Sequence, residues 1–146
     1  FNNPFYFEKL NASIIFCLKD LVKEDLSISQ KGISDICIDE HKLAGTSLFR
    51  SRNYLLFQAS LLYDAKPKLL ERYLRHPSKE PDYRQKRSHQ DFVCSLKNHT
   101  DSSIEQITIN FKEKLPFVVK KTLRAELRES ASEQIAYLKE KSSSEY

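Results

Sequence analysis

Apolar residues at Leu10, Ile14, Cys17, Leu18 and Leu21 recur three to four positions apart, the spacing of one helical face, and predict a helix over residues 9–23. The aromatic-rich residues 1–8, with Pro4 among them, read as the tail of a strand or a loop entering the domain. The period then changes. Leu26 and Ile28 alternate with polar residues up to Lys31, Gly32 interrupts, and Ile36 and Ile38 alternate with Asp35, Cys37 and Asp39 as in a half-buried strand. Asp39-Glu40-His41 reads as a polar turn, with Lys42-Leu43-Ala44-Gly45-Thr46 starting the returning strand. Arg50-Ser51-Arg52-Asn53 reads as the next turn, before an apolar stretch from Tyr54 to Tyr63. These periods predict an antiparallel meander.

The second half returns to helical spacing. Pro67, preset for a first helical turn, precedes Leu69, Leu70, Tyr73 and Leu74, which predict a short helix. His76 to Pro81 is expected to be a loop, with polar sequence continuing to His89. Ser102 with Glu105 has the form of a capping box, followed by a helical face of Ile104, Ile107, Phe111 and Leu115 that is expected to end near Pro116. Thr122 to Leu127 alternates and reads as a strand; Ser130 with Glu133 reads as a second capping box, opening a helix with Ile135 and Leu138. The tail from Ser142 to Tyr146 is expected to fray. The class is α+β, a mainly antiparallel sheet with packed helices, forming a single domain over residues 1–146.

Composition narrows this picture. The chain has 146 residues, 40% hydrophobic and 30% charged, enough for one domain with an apolar core. The net charge of +4 suits an anionic ligand or an acidic protein partner without indicating nucleic acid. Cys17, Cys37 and Cys94 are odd in number and widely spaced, so neither a disulfide framework nor a zinc site is expected, and a reducing cytoplasmic setting fits. The apolar run from Ile14 to Leu18 is too short to span a bilayer. The chain lacks Met and starts at Phe1, which reads as a fragment or a processed chain.

Glycine occurs only at positions 32 and 45, which marks both as places where the backbone needs a special conformation or a close approach. Antiparallel pairing of their strands is expected to bring Asp35, Lys42, Gly32 and Gly45 into one neighbourhood. There a lysine ammonium can reach a phosphate while small residues let a ligand lie near the backbone. On chemistry alone such a lysine is usually a solvated surface residue.

Gly32-Ile33-Ser34-Asp35-Ile36 followed by Lys42-Leu43-Ala44-Gly45-Thr46 resembles the paired motifs of the lipoate–protein ligase A family, G-x-[NS]-D-[LI] and K-x-[AS]-G. Gln58-Ala59-Ser60-Leu61-Leu62-Tyr63-Asp64 is similar to that family's H-G-T-L-L-x-[DN] strand, with Gln-Ala where many members carry His-Gly. The run LLERYLRHPSKEPDYRQKRSHQDFV, from Leu69 to Val93, resembles one branch of ligase-like proteins. The resemblance covers most of residues 9–140, in order. It implies the biotin/lipoate protein ligase-like catalytic fold, here its C-terminal portion, because the family's R-x-x-G-G-G segment is absent from this sequence.

The resemblance implies an ATP-dependent ligase that uses Mg2+ to form lipoyl-AMP. Such an enzyme then attaches lipoate, or a related short acyl group, to a lysine of a lipoyl carrier domain. Carriers of that kind are the lipoyl domains of 2-oxoacid dehydrogenase complexes or the glycine cleavage H protein. Lys42 matches the lysine that contacts carboxylate and α-phosphate oxygens, where fixed positive charge stabilises the transferring centre electrostatically. Asp35 matches a position near nucleotide and metal, either orienting Lys42 or helping to hold magnesium. Gly32, Ser34, Ala44, Gly45 and Thr46 complete the expected binding segment, the small residues leaving room for ligand. No protein metal cage is proposed, because the four histidines show no ligand spacing.

The alternatives are a lipoyl or octanoyl acyltransferase and a non-catalytic module that binds lipoyl domains or RNA. The transferases need a nucleophilic cysteine. One branch places it where this chain has Ser27 and its neighbours, another where it reads His76-Pro77-Ser78-Lys79, and neither place carries one. Cys37 and Cys94 are expected to be structural. Arg72, Arg75, Lys79, Arg84, Lys86 and Arg87, with Tyr73 and Tyr83, could serve RNA, but Glu71, Glu80 and Asp82 dilute the charge and a solvated loop is the expected reading.

Overall fold

The computed structural model describes residues 2–52 and 54–143. The first helix, α1 (Asn3–Lys19), starts six residues before the predicted residue 9. Residues 3–8 are therefore helical, not a strand tail or loop. Asn2 accepts the backbone N–H of Phe5 at 3.0 Å and Pro4 lies in the first turn, so the aromatic cluster sits directly behind a cap. The predicted end at residue 23 shortens to Lys19: Leu21 and Val22 both donate to the Leu18 carbonyl, closing the helix in a turn.

Four strands follow: β1 (Ile28–Lys31), β2 (Asp35–Ile38), β3 (His41–Arg50) and β4 (Leu55–Leu61). They form one antiparallel sheet in the order β1-β2-β3-β4, the expected meander. Gly32, at φ +58°, makes the β1–β2 turn, and Asp39, at φ +50°, turns β2 into β3. In the turn before β4, Ser51 N–H donates to Tyr54 O at 2.9 Å; Asn53, part of that predicted turn, lies outside the described residues.

One irregularity organises the sheet. Ile38 pairs with His41 and Cys37 with Lys42, but Ile36 pairs with Ala44 and Asp35 with Gly45, so Leu43 is an extra residue in β3. In a regular strand Lys42 and Gly45, three positions apart, face opposite sides. The bulge brings them to the same side, alongside Asp35 and Cys37. It also turns Leu43 and Ala44 into the core, where they are 0% and 1% exposed.

That core lies between one face of the sheet and two helices, and contains Ile14, Leu18, Ile36, Ile38, Leu43 and Ile107. Helix α2 (Pro67–Tyr73) and the short α3 (His89–Phe92) pack together, with α3 touching β3. A parallel bridge joins Lys42 to Val93, and Cys94 N–H donates to Lys42 O at 2.9 Å. Segment 67–93 thereby covers the face of β2 and β3 opposite the core.

The last helix, α4 (Ile104–Ser143), departs most from expectation. Its cap is Ser103 with Gln106, one residue beyond the predicted pair: Gln106 N–H donates to Ser103 Oγ at 3.3 Å, and Ser103 N–H to Gln106 Oε1 at 2.7 Å. Glu105 instead bonds Ser103 and its own backbone amide, which holds its carboxyl below the usual range. The helix does not stop at Pro116, and the predicted strand over 122–127 and second helix start at Ser130 are absent; both segments are helical backbone.

Proline fits helical φ but removes one hydrogen bond and crowds the preceding turn. Ile107 in the core, with Phe111 and Leu115 packed against it, holds the helix on the sheet through this defect. Pro116→Ala is expected to raise unfolding free energy by roughly 2 kcal/mol, the helix-interior cost of proline less its unfolded-state entropy benefit. Urea titration at unchanged slope reads this directly. No gain would mean that the helix around residue 116 is open in the native protein.

Candidate active site on the outer face of the sheet

The bulge places Lys42, Gly45, Asp35 and Cys37 side by side on the face under segment 67–93. Lys42 Nζ lies 2.6 Å from Asp35 Oδ1, with the lysine side chain 29% and the aspartate 10% exposed. The other carboxylate oxygen, Oδ2, accepts the Tyr83 hydroxyl at 2.7 Å, and Cys37 Sγ donates to that hydroxyl at 3.6 Å. Asp35 therefore spans a cation and a phenol. Burial, and then the hydrogen bond to Asp35, push the Tyr83 phenol far above its ordinary range, so it stays a donor at any physiological pH.

Lys42 and Asp35 line a cleft of about 420 Å³ whose other wall includes Leu74, Arg75, Pro77 and Phe92. Lys42 is paired with Asp35 and the buried Arg84 with Glu80 at 3.4 Å, so Arg75 and Lys79 are the lining cations that suit an anionic ligand. A larger space of about 820 Å³ near Tyr6, Arg50 and Leu55, and an apolar one of about 450 Å³ near Ile14, Phe57 and Phe111, border the core helices. The smaller cleft is the chemical candidate because it holds the charged pair.

The other predicted site residues divide. Gly45 joins the cluster, and a Cβ there would touch the flexible end of Lys42, Cε and Nζ, at 3.4 Å. Ala44 faces the core. Thr46 is buried and structural, its backbone N–H and hydroxyl both donating to Ser34 O at 2.7 and 2.8 Å. Ser34 thus serves as a stitch between β2 and β3. Gly32 lies at the turn beside segment 67–93, its Cβ position 3.8 Å from Pro81 and Tyr83.

The basic run from Arg72 to Arg87 is not a displayed charge stripe. The guanidinium carbons of Arg84 and Arg87 lie 4.5 and 5.4 Å from the Phe92 ring centroid, the geometry of cation–π contact. Arg84 is 5% exposed, and its Nε donates to Arg87 O at 3.1 Å. Arg87 in turn donates to Tyr83 O at 2.9 Å and to Glu40 O, in the β2–β3 turn, at 3.0 Å. These arginines fold the segment that carries Tyr83. From the sequence Tyr83 reads as part of a solvated loop and Phe92 shows no role; an isolated Tyr and Phe among so many charges are the available signal.

The cysteines are poor nucleophiles. Cys17 and Cys37 are fully buried, and burial raises both thiols above their usual range. Cys94 is half-buried and pushed up by burial to about 11. Among the described residues no group of three His, Cys, Asp or Glu could hold a metal ion, and no helix is long and apolar enough to cross a membrane. Each Asp35 oxygen has one partner, Lys42 on Oδ1 and Tyr83 on Oδ2, an arrangement that fits the role of orienting Lys42.

Comparison with known proteins bears on the family and the fold. The chain is 36% identical over 66 residues to "Inactive lipoate--protein ligase 2" of Plasmodium falciparum (isolate 3D7), an alignment spanning 40% of this chain and 17% of that protein. Its fold is similar to the solved structure of a bi-partite lipoate protein ligase and its E2 lipoyl domain from Thermoplasma acidophilum. That match has a TM-score of 0.64 and 18% identity, and covers 85% of this chain and 47% of the other. The chain thus spans about half of that structure and less than a fifth of the curated relative. The family model for the lipoyl protein ligase A/B catalytic domain matches residues 2–115, from α1 through the cleft to the first part of α4, and the chain belongs to that family.

Proposed function

We propose that this chain carries the lysine half of a lipoate-ligase site. In this reading ATP and lipoate form an acyl-adenylate, and the acyl group passes to a lysine on a lipoyl domain. The observation that carries it is the Lys42–Asp35 pair, 2.6 Å apart at a cleft also lined by Arg75 and Lys79, within the stretch that matches the family model. Lys42 supplies fixed positive charge toward the carboxylate and α-phosphate oxygens as charge shifts between them; no proton transfer from it is required. Asp35 holds the ammonium at the cleft. Magnesium, if it accompanies the nucleotide, supplies further charge neutralisation of the phosphates, and no residue described here is assigned to it.

Two further readings have distinct consequences. An acyltransferase needs a reactive thiolate, which burial of Cys37 and Cys17 and the raised thiol of Cys94 disfavour. A non-catalytic module for lipoyl domains is favoured by one fact: the Plasmodium relative is named inactive. The full-length protein is expected to form lipoyl-AMP from ATP and lipoate, and a Cys17→Ser/Cys37→Ser/Cys94→Ser variant that folds should retain most of that activity. Trapping a lipoyl thioester on any of the three would favour the transferase. Lipoyl-domain binding without adenylate formation would favour the module.

A further inference from the structure

We propose that Tyr83 is a positioning residue, whose hydroxyl fixes Asp35 so that the aspartate holds Lys42 at the cleft. This rests on the reading of Lys42 given above and deepens it. A carboxylate held by one partner is free to rotate about its last bond; one held from both sides is not. Tyr83 takes Oδ2 at 2.7 Å, which leaves Oδ1 to Lys42 at 2.6 Å and fixes which oxygen the ammonium meets. An ammonium has three donors. With one committed to Asp35 and 29% of the lysine side chain still exposed, the others remain for a ligand oxygen.

The support behind Tyr83 is extensive for so short a segment. Its backbone carbonyl accepts Arg87 at 2.9 Å, and Arg87 also reaches the β2–β3 turn through Glu40 O. Its ring lies 5.4 Å from Phe92. Its hydroxyl accepts from Cys37, a neighbour of Asp35 on β2, at 3.6 Å. The 67–93 segment is thereby tied to the lysine through one hydroxyl group. Preorganisation of this kind changes the rate more than substrate affinity, because misplacing a charge weakens mainly the contact that strengthens in the transition state.

The test uses the full-length protein and its Tyr83→Phe variant, which keeps the ring and its packing. The Lys42 ammonium is followed by 15N NMR relaxation, and adenylate formation from ATP and lipoate is assayed in parallel. The order parameter of Lys42 Nζ is expected to fall toward that of an unpaired surface lysine. Loss of one positioning contact is expected to lower kcat by roughly tenfold with KM little changed. In an Asp35→Asn background the same substitution should have almost no effect on either quantity, since the coupling runs through that carboxylate. A merely packing role would move thermal stability but not the Lys42 signal. An unchanged Lys42 order parameter in Tyr83→Phe overturns the inference whatever the activity. A silent Lys42→Ala variant overturns the catalytic reading while leaving the Tyr83–Asp35–Lys42 coupling to be judged by NMR.

Discussion

Lys42→Ala in the full-length protein is expected to slow lipoyl-adenylate formation at least about a hundredfold, the typical effect of deleting one preorganised charge worth on the order of 3 kcal/mol. Lys42→Arg should rescue little. A planar guanidinium cannot take the place of a compact ammonium between Asp35 and a ligand oxygen. The control is Lys31→Ala, whose partner is the exposed Glu40; activity there should stay near normal. Stability has to be measured alongside. An exposed strand lysine would be nearly neutral, but this one faces a carboxylate whose side chain is only 10% exposed. Removing it leaves a nearly buried charge with Tyr83 as its hydrogen-bond partner, a cost of roughly 1–3 kcal/mol. A Lys42→Ala/Asp35→Asn double variant should recover much of that stability without recovering activity. If Lys42→Ala and Lys31→Ala behave alike while folded, Lys42 has no catalytic role.

Phe92→Ala should produce the largest loss of stability among substitutions near the cleft. The ring is 3% exposed and lies against Arg84, Arg87 and Tyr83, so truncation leaves a cavity and removes two cation–π contacts. Large-to-small changes of this kind cost about 3–5 kcal/mol. The damage should be local before it is global: residues 67–93 are expected to become sensitive to protease and to lose amide protection while β2 and β3 keep theirs. Hydrogen exchange resolved by segment checks this. A loss below about 1 kcal/mol, with the segment still protected, would mean that the arginines hold the fold without the ring.

The antiparallel meander was legible because β1 and β2 alternate and each pair of successive strands is joined by a glycine or a polar turn. The Lys42 and Asp35 neighbourhood was legible for the same reason: a hairpin brings residues on its two arms together whatever the details of register. Element ends were less so. Residues 3–8 hid their helix behind aromatic side chains, which by themselves favour strands, and the decisive group was the Asn2 cap. Pro116 stopped the predicted helix because proline in isolation does stop one, whereas here packing of Ile107, Phe111 and Leu115 outweighs the lost bond.

What the sequence determined by itself is the set of local periods, the turns at Gly32 and Asp39, and the unlike charges Asp35 and Lys42 on neighbouring strands, all consequences of interactions a few residues apart. What only the tertiary structure decided is which faces those residues share and what stands over them. The spacing of Lys42 to Gly45 reads as opposite faces until the Leu43 bulge reverses it, and a bulge depends on the partner strand rather than on its own residues. The tie from Tyr83 to Asp35 joins positions 48 residues apart. It exists because Arg84 and Arg87 fold their segment around Phe92 and against the β2–β3 turn, a long-range arrangement that no local pattern encodes.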